Sequence, residues 1–226
     1  MIKMYKQVIK SKRGSCLRKN SNIELILDIE ATQFGQILLI NQDHLYTSIT
    51  KENLIVKPLD YYMVINNSKF PLEISYNDDI LKHELIYDPY LFENSEKKNL
   101  SPDDILNNFS VPEGYLDVLA KWYSIKFSYQ NYNLIFIRPE LGISIQIHEN
   151  RSEKWEILSG HPIIINVDKV YYFVEKGSEF STPKKSFHSV INPSKKQDDY
   201  VIIKETWTGD FDEKDIKRIF NPNHYY

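Results

Sequence analysis

Cysteine is almost missing from this chain. Cys16 stands alone, so no intrachain disulfide holds the fold, which fits a reducing compartment. Alanine, the strongest helix former, occurs only at Ala31 and Ala120, while Ile, Val, Tyr and Phe are plentiful; the intrinsic preference leans to strand. No apolar run approaches the roughly 18 to 20 residues that cross a bilayer. The opening MIKMYKQVIKSKRGS carries positive charge without an apolar stretch of signal-peptide length after it. Membrane insertion and secretion are therefore not expected, and the cytoplasm is the expected location. A basic surplus is lacking too: 28 Lys and Arg stand against 31 Asp and Glu, a net charge of −3, which argues against a nucleic-acid partner.

What is present is an ordinary globular composition, 42% hydrophobic and 26% charged over 226 residues, enough for one large domain or two small ones. Short apolar or alternating runs, ELILDI (24–29), GQILLIN (35–41), NLIVKP (53–58), YYMVIN (61–66) and PLEISY (71–76), read as strands between Asn, Asp, Gly and Pro. The middle differs. DDILKHELI (78–86) has the apolar spacing of a short helix, and Ser101 followed by PDDIL is an N-cap with proline in the first turn. From Tyr123 the strand pattern returns in YSIKFSY, NLIFIRP, ISIQIHE, KWEIL, PIIIN, VYYFVE, SFHSVIN and YVIIKETW, which predicts a small closed barrel. DEKDIKRI near the end reads as a helical turn, and the aromatic tail NPNHYY as a segment packed on the body. The expected organisation is mainly β: a lobe over 1–77, a helical or irregular connector over 78–122, and a barrel over 123–226. VINNSK at 64–69 echoes VINPSK at 190–195, offset by 126 residues; a duplicated barrel and a chance match both account for it.

In ISIQIHE, alternation puts Ser144, Gln146 and His148 on one face of a strand. An antiparallel return after the polar turn would bring Glu153 beside His148. Gly160, Gly177, Pro183, His188 and Asn192 follow. His44 and His83 have no such partner spacing and read as surface residues. Trp155 reads either as barrel filling or as a sugar-stacking platform.

These spacings resemble the two motifs of the cupin superfamily. The first stands here as Gln146-x-His148-x4-Glu153-x6-Gly160, with Gln in place of the first His. The second stands as Gly177-x5-Pro183-x-Lys185-x2-His188-x3-Asn192, with Lys in place of the inner Gly. Within the superfamily, Gln146-x-His148-x-x-Arg151-x-Glu153-x-Trp155-x4-Gly160 is similar to the pattern of type II mannose-6-phosphate isomerases. So is the distal series Glu205, Trp207, Gly209, Asp212, Glu213, Asp215, Ile216 and Arg218. The guanylyltransferase domain carried by bifunctional relatives is not expected, since no Gly-rich segment of that kind stands near the N-terminus.

The resemblance implies a cupin (double-stranded β-helix) barrel in which Gln146, His148, Glu153 and His188 hold one divalent metal, zinc first among the candidates. The implied activity is interconversion of mannose 6-phosphate and fructose 6-phosphate, or of a related sugar phosphate, in carbohydrate metabolism. Arg151, Lys185 and Arg218 are the candidate cations for the phosphate, Arg151 and Lys185 also for catalysis, and Glu205 is the candidate proton-transfer carboxylate. A homodimer is the assembly the resemblance suggests. The N-terminal lobe, if duplicated, is a degenerate cupin with Tyr62 where His188 would be and Asn20, Asn22 and Leu27 at the other ligand positions. Asn150 stands where a second His is often found, and a family Tyr-Gly-Arg ending is replaced by Asn223-His224-Tyr225-Tyr226. A non-catalytic sugar-binding or structural cupin is the alternative from another class, and a nucleotide-sugar epimerase is disfavoured because such cupins use a base without a metal.

Overall fold

The computed structural model describes residues 4–210, 212 and 214–224; Glu213 of the acidic run and Tyr225 and Tyr226 of the tail lie outside them. The chain is mainly β, 42% strand and 9% helix. No helix among the described residues is long and apolar enough to cross a membrane. Two compact units account for the contacts: Met1–Pro89 with Asp168–Val170, and Tyr90–Val167 with Tyr171–Tyr226.

In the second unit one antiparallel sheet runs in the order Asp117–Ala120, Ser124–Ser128, Asn133–Ile137, Val201–Gly209, Arg151–Ser159 and Glu179–Thr182. A second antiparallel group runs Lys217–Phe220, Ile145–Ile147, His188–Ile191 and Ile163–Asn166. Ile137, Trp155, Ile157, Val201 and Ile203 of the first share one core with Ile164 and Val190 of the second, which is what period-two alternation on facing sheets requires. The other face of the first sheet presents Ile125, Phe127, Leu134 and Phe136 to Ile105 of the only α-helix among the described residues, Pro102–Asn108. That helix starts as its sequence predicts. Ser101 Oγ accepts the Asp104 N–H at 3.3 Å, Pro102 opens the first turn, and Asp103 and Asp104 face the positive end of the helix dipole.

Two expected helical segments resolve otherwise. DDILKHELI forms one 3-10 turn, Ile80–Lys82, and then the strand Glu84–Tyr87. Asp79 accepts the Leu81 N–H and closes the turn, and pairing with Leu17–Lys19 takes the backbone that follows. DEKDIKRI likewise ends in the strand Lys217–Phe220, paired with Ile145–Ile147. In both, an unpaired neighbouring strand outweighs helical spacing over eight or nine residues, a length too short to hold a helix alone.

The first unit is built from Tyr5–Ile9, Leu72–Tyr76, Leu25–Asp28 and Ile55–Val56 in one sheet. His44–Tyr46, Ile37–Asn41, Tyr61–Asn66, Leu17–Lys19 and Glu84–Tyr87 form the other. Its core joins Leu25, Leu27, Leu39, Val64, Ile74 and Tyr76. The echoed hexapeptides occupy matching places within their units. Gly14 bridges Ile65 and Gly142 bridges Ile191. Asn66 donates to the carbonyls of Ile9, Lys10 and Phe70 and accepts from the Ser68 N–H. Asn192 donates to those of Ile137 and Asp199 and accepts from the Ser194 N–H. In each unit a buried asparagine thus closes the loop that leaves the strand, by satisfying carbonyls no ladder reaches.

Asn192→Ala strips the donors from two carbonyls beside the core. It is expected to lower stability by about 2 kcal/mol, read as a fall in the urea midpoint at unchanged slope; a variant as stable as the parent contradicts this role for the side chain.

Candidate metal centre

The site sits where the two strand groups of the second unit come together. Ser144, Gln146 and His148 alternate with core isoleucines, and Ser144 Oγ donates to Gln146 Oε1 at 2.8 Å, so the three share a face. Strand Arg151–Ser159 buries every second residue, turning Arg151, Glu153, Trp155 and Ile157 inward. The ladder sets Gln146 opposite His188 and Trp155 opposite Glu205. Gly160, at φ +80°, ends the long strand where a Cβ would stand 2.9 Å from Val201 Cγ2, so only glycine fits there.

His148, Glu153 and His188, all buried, bring potential ligand atoms within 4.8 Å of one another. His148 Nδ1 donates to the Asp215 carbonyl at 2.7 Å and His188 Nδ1 to the Ser186 carbonyl at 3.2 Å. Both rings therefore turn Nε2 toward Glu153, at 2.9 Å from Oε1 for His148 and 3.4 Å from Oε2 for His188. Gln146 Nε2 lies 3.3 Å from His188 Nε2. Arg151 completes the cluster: Nε donates to Glu153 Oε1 at 2.8 Å and Nη1 to the Asp212 carbonyl at 2.8 Å, and Nη2 lies 3.1 Å from His148 Nε2.

Burial alone would push the Glu153 carboxyl up, but the His148 hydrogen bond and the charges of His188, His148 and Arg151 outweigh it and hold it well below the usual carboxylate range. Burial pushes His188 down to about 4 against the pull of Glu153, so at neutral pH its ring is uncharged. Its Nε2 lone pair then faces Glu153 Oε2, a buried oxygen without a hydrogen-bond partner. Two electron-pair donors facing each other across 3.4 Å are the arrangement that a cation between them relieves. The residues present thus fit a divalent ion, with His148, Glu153 and His188 as donors and the Gln146 amide within reach.

A second carboxylate lies one residue deeper. Glu205 Oε1 accepts from Asn133 Nδ2 at 2.7 Å and Oε2 from Trp155 Nε1 at 3.2 Å. Burial, with the Glu153 charge adding to it, raises Glu205 to about 7 against the pull of Asn133, Lys126 and Trp155. Trp155 is 1% exposed and its ring meets the His188 ring edge-on at 5.2 Å. It fills the barrel and at the same time ties the two carboxylate neighbourhoods together.

A cavity of about 90 Å³ opens beside these groups, lined among others by Lys121, Lys126, Gln146, Arg151, Glu153, Glu205 and Arg218. Of the residues singled out from sequence, Gln146, His148, Arg151, Glu153 and His188 form the cluster, and Glu205 and Arg218 line the same cavity. Lys185 lies elsewhere. Its side chain is exposed and pairs with Glu149 at 3.5 Å, while its backbone N–H, at φ +62°, donates to the His148 carbonyl. Sequence reading missed Lys126, Lys121 and Asn133. The signal for Lys126 was available: in YSIKFSY, Ser124 and Lys126 alternate with the core residues Ile125 and Phe127, so the polar stripe faces the barrel interior.

In the first unit the matching ladder position sets Arg18 opposite Tyr62. The alignment of Asn20, Asn22 and Leu27 with the ligands is corrected by this pairing: the two bridges fix the offset at 128 residues upstream and 126 downstream, which puts Arg18, Asn20 and Leu25 there instead. Tyr62 Oη lies 2.7 Å from His83 Nδ1, and His83 Nε2 lies 3.2 Å from Asp78. His83 is 3% exposed, so it is a core residue and not the surface residue its spacing suggested; the buried tyrosine hydroxyl requires a partner and the ring supplies it. His44 is partly exposed and contacts Asp43 and Lys169.

The family described as mannose-6-phosphate isomerase C-terminal matches residues 114–221, a little under half of the chain. Among curated proteins none matches the chain. Solved structures similar to it include the capsular polysaccharide assembling protein CapF of Staphylococcus aureus, 16% identical over 49% of this chain and 33% of that one, at a TM-score of 0.35. A cupin-superfamily sugar phosphate isomerase of Silicibacter pomeroyi is 14% identical over 54% of this chain and 74% of that one, at 0.33. AerE of Microcystis aeruginosa is 13% identical over 91% and 87%, at 0.30. The chain spans about a third of the CapF chain.

Glu205 links the site to stability. Its folded value of about 7 lies above the 4.5 of an ordinary glutamate, so between these pH values the unfolded chain binds fewer protons and this group's contribution falls as pH rises. Glu205→Gln removes that loss: the stability of the variant relative to the parent is expected to rise by on the order of 3 kcal/mol from pH 4.5 to 7. Denaturation series at several pH values measure it, and a flat difference shows that Glu205 ionises as an ordinary carboxyl.

Proposed function

We propose that the chain is a metal-dependent aldose-ketose isomerase acting on mannose 6-phosphate and fructose 6-phosphate or a related sugar phosphate. The observation that carries this reading is a buried carboxylate raised to about 7, Glu205, lining one cavity with Lys126, Arg218 and Glu153, the carboxylate of the His148–Glu153–His188 cluster. Interconversion of an aldose and a ketose moves a proton between C2 and C1 through a cis-enediol. It needs one group able to take and return that proton near neutral pH, and a site poised near 7 does both.

In this reading Glu205 takes the C2 proton, the C–H electron pair becomes part of the C1–C2 double bond, and the same carboxyl returns the proton to C1. A second proton passes from the C2 hydroxyl to the C1 oxygen, so the step is balanced. Asn133 and Trp155 hold both Glu205 oxygens in place for the transfer. Lys126, Lys121 and Arg218 supply the positive charge for a phosphate, with Arg151 held by Glu153; Lys185 is the candidate placed furthest from this role. A divalent ion on Gln146, His148, Glu153 and His188 would supply positive charge for the oxygens on C1 and C2. Zinc suits the donor set first, with iron, manganese and nickel after it.

The same reading takes residues 123–226 as the working cupin, 78–122 as a connector and 1–77 as a degenerate copy, which the matched Asn66 and Asn192 loops support. A cytoplasmic homodimer belongs to it as well.

The test is a coupled assay for fructose 6-phosphate on protein with measured metal content. Glu205→Gln is expected to lower kcat by about 10²- to 10⁴-fold with metal retained, and kcat/KM of the parent to rise with pH through about 7 as Glu205 loses its proton. His188→Ala is expected to lose both metal and turnover. Metal bound at the site without turnover on any sugar phosphate returns the non-catalytic sugar-binding reading.

A further inference from the structure

Arg151 is an unusual neighbour for a metal centre. Its side chain is 3% exposed, and it approaches the same atoms that a cation would use. Nη2 lies 3.1 Å from His148 Nε2, on the ring whose Nδ1 donates to the Asp215 carbonyl. Nε donates to Glu153 Oε1, while Glu153 Oε2 has no hydrogen-bond partner. One carboxylate oxygen and one imidazole are thus engaged by a fixed positive charge, and the other oxygen and the His188 ring face each other.

We propose that Arg151 is the resident cation of this centre: in the metal-free protein its guanidinium holds His148 Nε2 and Glu153 Oε1, and a divalent ion must displace it from them to bind. This rests on the metal reading above and adds to it a role for one residue. A guanidinium and a dication sharing one carboxylate in a buried site repel each other, so the arginine weakens metal affinity. It also neutralises a buried carboxylate that would otherwise be unpaired. The metal-free chain therefore stays folded, and the ion is held exchangeably. A purely positioning role predicts the reverse, because removing the clamp on Glu153 would loosen the ligand set.

The experiment titrates zinc into the chelator-stripped full chain against a competing chromophoric chelator, for the parent, Arg151→Gln, Arg151→Lys and His188→Ala, with melting temperatures recorded with and without zinc. Arg151→Gln is expected to bind zinc about ten-fold more tightly or better, and its melting temperature to fall without zinc and recover with it by more than the parent gains. Arg151→Lys keeps the charge but lacks the fork that reaches both acceptors, and its affinity is expected between the two; it also serves if the Gln variant does not fold without zinc. Zinc binding by Arg151→Gln and not by the parent supports the proposal. Equal or weaker binding in both Arg151 variants overturns it while leaving the metal reading intact. Absence of zinc binding in every protein, or unchanged binding in His188→Ala, removes the metal reading and this proposal with it.

Discussion

The buried charge of Glu153 is the constraint around which the second unit is arranged. A carboxylate at 4% exposure is costly unless positive charge and hydrogen bonds meet it. Arg151 meets it with a charged hydrogen bond, and the rings of His148 and His188 stand against its two oxygens. Each is delivered by the strand pattern: Arg151 and Glu153 by alternation within one strand, His148 by the alternation that ends the preceding one, and His188 by its pairing with Gln146. The backbone then fixes the tautomers, since both Nδ1 atoms are engaged by carbonyls.

The same charge reaches Glu205. Two carboxylates in one dry interior do not ionise independently, and the better-neutralised one ionises first. Glu153 has the arginine and the histidines, so Glu205, held by neutral donors, is the one raised. The two carboxylates are thereby driven to opposite roles, a permanent anion suited to holding a cation and a group that titrates near neutrality. The first unit lacks this polarity. Its matching positions carry Tyr62 and Arg18, and the hydroxyl is satisfied by His83 and Asp78, an arrangement that makes a core.

Much of this was legible in the sequence, for reasons that are local. The mainly β class follows from composition, the Ser101 cap from four residues, and the shared face of Gln146 and His148 from period two. Glu153 and His188 were reached through motif spacing. What was not legible depends on pairing partners far away in the chain. DDILKHELI and DEKDIKRI become strands because Leu17–Lys19 and Ile145–Ile147 have open edges beside them. His83 enters the core because Tyr62, 21 residues earlier, needs an acceptor or donor there. The offset between corresponding positions is 126 at the echoed hexapeptides and 128 upstream, because bridges, not identical letters, fix it. Lys185 keeps its motif position but points its side chain to Glu149, while Lys126 lines the cavity from a strand outside the motif.

The most direct measurement of the central claim is anomalous diffraction at the zinc edge from crystals of the full chain grown with stoichiometric zinc. The account predicts one strong peak among His148 Nε2, His188 Nε2 and Glu153 Oε2. Density confined to the partly exposed His44 and the exposed His161, with the cluster empty in crystals of both the parent and Arg151→Gln, would contradict it.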